Sequence, residues 1–85
     1  MKEFEFSDPL KKILNKIYKK DRTTYETLMR KVDEILNTAD LDHYKNLRYN
    51  MKDSKRVHIG HFVLVFRCVE NKVYFDDFDH HDNIY

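Results

Sequence analysis

The spacing of the apolar residues changes its period halfway along the chain, and this change limits the folds that are possible. Between residues 10 and 36 the apolar side chains recur every three or four positions, which predicts two amphipathic helices. Between residues 56 and 78 they alternate or run almost continuously, which predicts strands. Glu3 to Phe6 also alternates. The pattern therefore predicts an α+β fold in which a strand and a helix pair precede a sheet.

Capping residues set the predicted helix boundaries. Ser7 or Asp8 can cap the first helix, and Pro9 suits its first turn because that position needs no N–H donor. Thr23 and Glu26 have the spacing of a capping box, which predicts that the second helix begins with Thr23 as its cap. The short break between the helices implies that they run antiparallel.

Three strands are predicted in the second half of the chain. Residues 56–59, 61–69 and 73–78 have strand composition, with Gly60 and residues 70–72 as turns between them. These strands should form a three-strand antiparallel meander, with both helices packed on one sheet face. A chain of 85 residues is enough for one domain, so we expect residues 1–85 to be a single domain.

Composition indicates a cytoplasmic protein that does not enter a membrane. No apolar run approaches the ~20 residues that span a bilayer, and the start of the sequence lacks the apolar block of a signal peptide. Cys68 is the only cysteine, so no internal disulfide is possible. Because Cys68 stands in an apolar run, we expect it to be buried and unreactive.

Charge is unevenly distributed along a nearly neutral chain. The net charge is +1, but residues 43–69 carry +5 and residues 70–85 carry −4. A basic segment within a neutral chain can still present a positive face to nucleic acid. Charge alone favours a simpler interpretation, an ordinary solvated strand face.

Histidines are numerous in the second half, where four of the five lie at or after residue 58. His58 and Arg56 should face away from the helices, because Val57 and Ile59 alternate with them. Histidine can act as general acid or base near neutral pH, and cations can stabilise charge on a phosphate. This combination suits RNA cleavage by a ribose 2′-OH, and a terminal tyrosine can stack on a base.

Two other interpretations of the histidines remain open. They can be surface polar groups, or they can bind a metal, since His80, His81 and Asp82 with His58 and His61 supply suitable ligand types. Against a metal, adjacent residues on an extended chain point to opposite faces, and no H-x-x-x-H spacing is present.

Four segments resemble the RelE/ParE toxin superfamily. They are residues 44–47 (YKNL), 55–60 (KRVHIG), 62–66 (FVLVF) and 79–85 (DHHDNIY). The strand and helix pair before them suit the same fold, so the resemblance covers essentially the whole chain. The ending is most similar to the YafQ branch and to archaeal RelE-like proteins, in which His58, His81 and Tyr85 match positions used in cleavage. Val63 departs from the RelE branch, which has arginine there.

The resemblance implies the toxin component of a type II toxin–antitoxin system, a metal-independent endoribonuclease (mRNA interferase) that cleaves mRNA in the ribosomal A site. His81 would be the general acid, His58 the base, and Tyr85 would orient the RNA; no cofactor is implied. The expected partners are a cognate RelB-like antitoxin, in a heterodimer or heterotetramer, and mRNA with the ribosome. The expected RNA- or phosphate-binding residues are Lys52, Lys55, Arg56, Arg67, His61 and His80.

Two other functions are consistent with the same resemblance. One is a ParE-like inhibitor of DNA gyrase, which would not need the histidine set. The other is a catalytically degenerate module that only binds an antitoxin.

Overall fold

The computed structural model describes residues 1–46 and 53–84, in which the helices cover one face of a five-stranded sheet. In chain order the elements are β1 (Glu3–Phe6), α1 (Asp8–Lys20), α2 (Arg22–Asn37), a 3₁₀ turn (Leu41–His43), β2 (Lys45–Asn46), β3 (Ser54–Ile59), β4 (Phe62–Val69), β5 (Lys72–His80) and α3 (His81–Ile84). The order across the sheet is β1-β5-β4-β3-β2. The predicted α+β class and helix placement are confirmed.

The sheet is mixed, because β1 does not pair as the other strands do. The neighbours β3, β4 and β5 are antiparallel, which confirms the predicted meander. β1 pairs parallel to β5, a pairing that the sequence pattern did not specify. The helix pair carries the chain from β1 to β2 at the opposite edge of the sheet, and β3 and β4 bring it back to β5.

Ser7 joins the start of α1 to β5. Its Oγ accepts a hydrogen bond from the Leu10 amide at 3.1 Å, which confirms Ser7 as the cap of α1. The same Oγ donates to the Asp76 carbonyl at 2.7 Å, and the Ser7 amide donates to the Phe75 carbonyl at 2.9 Å. One residue therefore satisfies a helix end and attaches it to the sheet.

Asp21, rather than the predicted Thr23, caps α2. The Asp21 carboxylate accepts from the Thr24 amide at 3.1 Å and from the Thr24 hydroxyl at 2.6 Å. These bonds lower the pKa of the Asp21 carboxyl. A charged carboxylate at a helix N-terminus is a strong cap, and it displaces the start of α2 to Arg22.

None of the helices described is long and apolar enough to cross a membrane.

The core lies between the helices and one sheet face, where Phe66 and Phe75 are fully buried. The helices contribute Leu10, Leu28, Val32, Ile35 and Leu36, and the strands contribute Ile59, Leu64, Phe66, Val73, Phe75 and Phe78. We call the face turned away from the helices the open face. Val63 and Val65 are on it, because they alternate with Leu64, and both are buried.

Two tight turns connect the meander. Gly60 has a φ of 62° and begins the two-residue turn between β3 and β4, where a left-handed conformation favours glycine. Glu70 and Asn71 have φ of 50° and 66° in the next turn.

Cys68 is exposed, so its predicted burial is wrong. It lines an open pocket at the end of β4 instead of contacting the core.

Candidate functional site

Arg56 and His58 lie next to each other on the open face of β3, as the alternation predicted. The Arg56 Nε donates to the Asn46 carbonyl at 3.0 Å, and the Arg56 Nη1 lies 3.3 Å from the His58 Nε2. Because a guanidinium can only donate, Nε2 is the acceptor in this contact. In this contact the lone pair of the His58 Nε2 is directed at the Arg56 guanidinium.

A groove of about 280 Å³ runs beside these two residues along the edge of the sheet. Its lining residues are His43, Tyr44, Lys45, Arg56, Val57 and His58. Lys45 pairs with Arg56 in the ladder, so their side chains point to the same face. Lys45 was not among the predicted site residues, because the two-residue strand β2 was not predicted and its pairing with β3 was therefore hidden.

Three histidines form a cluster at the end of the sheet that carries the Gly60 turn. The ring of His61 lies 6.1 Å from that of His80, and the ring of His80 lies 4.6 Å from that of His81. The His81 amide donates to the His61 carbonyl at 3.0 Å, which fixes the start of α3 beside the turn. The structure thus brings together three of the predicted residues.

Asp82 contacts the rings of both neighbouring histidines. Its Oδ1 lies 3.1 Å from the His81 Nδ1 and its Oδ2 lies 3.5 Å from the His80 Nδ1. A carboxylate at this distance pairs with an imidazole whenever the ring is protonated, and it restricts the ring's orientation. The sequence indicated Asp82 only as a possible metal ligand, since a bond between adjacent residues leaves no signal in spacing.

His58 and the histidine cluster lie near the same end of the sheet. One cross-strand row contains His58, Val63 and Asp79, all on the open face. Adjacent strands are about 4.8 Å apart, which places the backbone of Asp79 roughly 10 Å from that of His58. The Asn83 side chain donates to the Asp79 carboxylate at 3.2 Å and thereby ties α3 to this row.

The structure does not bring every predicted residue to this end. Lys55 points to the helix side, where its Nζ donates to the Asn46 side chain at 3.0 Å. Arg67 is on the open face but four residues along β4 from Val63, about 13 Å away. Lys52 and Tyr85 lie outside the described residues.

Arg67 is already held by a carboxylate. Its Nε and Nη2 donate to the two oxygens of Asp76 at 2.7 and 3.1 Å. This bidentate pair raises the pKa of the Arg67 guanidinium above its ordinary value. Asp76 takes this position because the ladder between β4 and β5 shifts register beside Val65 and Phe66. Asp76 therefore neutralises the positive charge of Arg67, which was expected to bind phosphate.

Comparison with known proteins identifies the family. No protein-family model matches the chain. The Methanocaldococcus jannaschii protein named "Putative toxin RelE4" is 50% identical over 88 aligned residues, which cover all of this chain and 92% of that protein. An uncharacterized protein of Methanosarcina mazei is 47% identical over 73 residues, covering 82% of this chain and 83% of that protein.

Solved structures show the same fold at low sequence identity. The isolated Escherichia coli RelE toxin superposes with a TM-score of 0.77 at 18% identity, covering 94% of this chain and 84% of that one. A chain of the intact E. coli RelBE toxin–antitoxin complex superposes with the same TM-score, and the match covers 94% of this chain and 96% of that one. E. coli YafQ superposes with a TM-score of 0.67 at 16% identity, covering all of this chain and 99% of that one. On the strength of the archaeal relative, which matches along the full length, the chain belongs to the RelE family of toxins.

Proposed function

We propose that this chain is the toxin of a type II toxin–antitoxin system and that it is an endoribonuclease cleaving mRNA in the ribosomal A site. The observation that carries the proposal is the position of His58 and His81 near one end of the sheet, where His58 lines a groove that also contains Lys45 and Arg56. Two imidazoles and nearby positive charge are the groups that cleavage of RNA by its own 2′-OH requires.

The proposed reaction uses one histidine for each proton transfer. When RNA binds, Arg56 turns from the His58 Nε2 to the phosphate, and the freed Nε2 takes the proton of the ribose 2′-OH. The 2′ oxygen forms a bond to phosphorus while the bond from phosphorus to the 5′ oxygen breaks. His81, paired with Asp82 when protonated, gives its proton to the leaving 5′ oxygen. The products are a 2′,3′-cyclic phosphate and a 5′-hydroxyl.

Arg56 and Lys45 have a separate role in this proposal. Both side chains are on the open face beside His58, where they can contact the non-bridging phosphate oxygens. Negative charge grows on these oxygens in the transition state, so fixed cations lower its energy more than that of the bound substrate. Both proton transfers are assigned to imidazoles, so the proposed reaction requires no metal.

An antitoxin is the first expected partner of this chain. One of the solved structures with the same fold is the intact E. coli RelBE toxin–antitoxin complex. We propose that this chain likewise binds a cognate RelB-like antitoxin, as a heterodimer or heterotetramer, and that it acts on ribosomes in the cytoplasm.

Primer extension on an mRNA translated in a cell-free system tests the proposal. Cuts in phase with the codons, present only when the chain and active ribosomes are both added, are the expected result. Translation arrest without cuts, together with loss of gyrase supercoiling in a parallel assay, would instead indicate a ParE-like inhibitor. No effect in either assay would indicate an inactive antitoxin-binding module.

Replacing Lys45 by Gln should weaken RNA binding. It should also make the binding constant depend less steeply on salt concentration. Each phosphate contact that is lost reduces the slope of log K against log salt concentration by about 0.7–1. The measurement is fluorescence anisotropy with a 2′-O-methyl RNA, which cannot be cleaved. Lys31→Gln is the matched control, because Lys31 is on α2 and pairs with Glu34 at 2.6 Å. Equal slopes for wild type and Lys45→Gln would remove Lys45 from the proposed interface.

A further inference from the structure

His80 and His81 are adjacent in the chain but do not lie on one extended strand. On an extended backbone their side chains would point to opposite faces, which would exclude a shared metal ion. In the structure β5 ends at His80 and α3 begins at His81, so the backbone changes direction between the two residues. Their rings lie 4.6 Å apart and nearly parallel, at an interplanar angle of 28°.

Asp82 completes a set of three ligands with suitable spacing. One donor atom from each of His80, His81 and Asp82 lies within 4.8 Å of the others. The two contacts between histidine Nδ1 and carboxylate oxygen are 3.5 and 3.1 Å long. Ligand atoms of tetrahedral zinc, at bond lengths of about 2.0–2.2 Å, are separated by about 3.4 Å. The His80 Nδ1 now accepts from the Asp82 amide at 3.2 Å, so both rings would turn out of their stacked arrangement to place all three ligands around one ion.

The three side chains are also accessible to an ion from solvent. The side chains of His80 and His81 are 39% and 44% exposed, and that of Asp82 is 73% exposed. Three protein ligands leave a fourth tetrahedral position for water, which is the arrangement of an open zinc site. Two imidazoles with one carboxylate favour zinc and its transition-metal neighbours over Mg²⁺, which prefers oxygen ligands.

We propose that His80, His81 and Asp82 form a binding site for Zn²⁺ and that zinc switches off the toxin. The inhibitory part rests on the proposed function, because it concerns His81 as the general acid. A bound ion would hold the ring of His81 against His80 and Asp82. The ring could then no longer turn towards the leaving 5′ oxygen, so an occupied site would stop cleavage.

Isothermal titration of the purified chain with zinc chloride tests the site itself. We expect one ion per chain, binding that is at least about tenfold weaker in both His80→Gln and Asp82→Asn, and no binding of magnesium chloride. His43→Gln is the matched control, since its ring lies against Tyr44 and outside the three-residue set, and it should bind zinc as the wild type does. Absence of zinc binding by the wild type, or unchanged binding in either ligand variant, would overturn the proposal.

A cleavage assay then tests inhibition separately from binding. Zinc should abolish cleavage by the wild type, and the half-inhibitory concentration should rise at least about tenfold in His80→Gln. Zinc binding without inhibition of an active toxin would overturn the regulatory part. If the chain binds zinc but never cleaves RNA, the proposed function fails while the metal site stands, so the two failures are distinguishable.

Discussion

Replacing His81 by Gln is expected to lower the rate of mRNA cleavage by about 10²–10⁴-fold, the usual contribution of a general acid. Glutamine keeps a polar side chain of similar length, and the backbone bond from residue 81 to the His61 carbonyl is retained. The imidazole is lost as a proton donor, together with its ring contacts to His80 and Asp82. Single-turnover cleavage of mRNA by the wild type and by His81→Gln, compared under the same conditions, measures this loss.

The control for this experiment is Arg30→Gln, which removes one positive charge from α2, where Arg30 contacts only the Thr27 hydroxyl among the bonds described. It should cleave at nearly the wild-type rate. Circular dichroism should give the same thermal midpoint for wild type and His81→Gln, which excludes unfolding as the cause. A cleavage rate of His81→Gln within about threefold of the wild-type rate would assign the acid to another group.

The elements that the sequence predicted correctly are those whose evidence is local. The spacing of Leu10, Ile13 and Ile17 identified α1, and Ser7 with Pro9 identified its start. The strands of the meander were recognised because their apolar runs end at turn residues such as Gly60. In each case neighbours in the chain determine the conformation, so inspection of a short window was enough.

The errors concern pairing between distant segments. β1 alternates as any edge strand does, and nothing in its four residues specifies parallel pairing with β5. Lys55 was placed with Arg56 in one basic set, although alternation puts them on opposite faces. The exposure of Cys68 depends on where the helices stop covering β4, which the apolar run around it does not reveal.

In the candidate site, too, the features set by neighbouring residues were predicted and those set by distant contacts were not. His58 was assigned to the open face from alternation, and the structure places it there. The contacts of His80 and His81 depend on a change of backbone direction after β5, and that change was hidden by the polar residues of the ending, which suit strand, loop or helix. Lys45 was missed because β2 has only two residues, too few for a period to be detected.

Replacing Phe66 by Ala is expected to destabilise the fold by about 3–5 kcal/mol, the usual cost of removing a buried aromatic ring. Phe66 is fully buried, and its ring lies 5.4 Å from that of Tyr44 and 6.2 Å from that of Phe75. The ring therefore joins the central strand to β5 and to the segment that precedes β2. A chain of 85 residues has a total stability of about 4–13 kcal/mol, so this loss is a large fraction of it, and at the lower end of the range the variant would be partly or wholly unfolded at 25 °C.

Urea denaturation followed by circular dichroism measures this effect. The midpoint should fall steeply in Phe66→Ala, with little change in slope if the variant still folds in two states. Val69→Ala is the matched control on the same strand, because Val69 is 46% exposed and its truncation should cost less than about 1 kcal/mol. A midpoint for Phe66→Ala as close to wild type as that of Val69→Ala would contradict the placement of β4 at the centre of the core. It would also remove the support for the position of His58, because β3, which carries His58, pairs with β4 along its whole length.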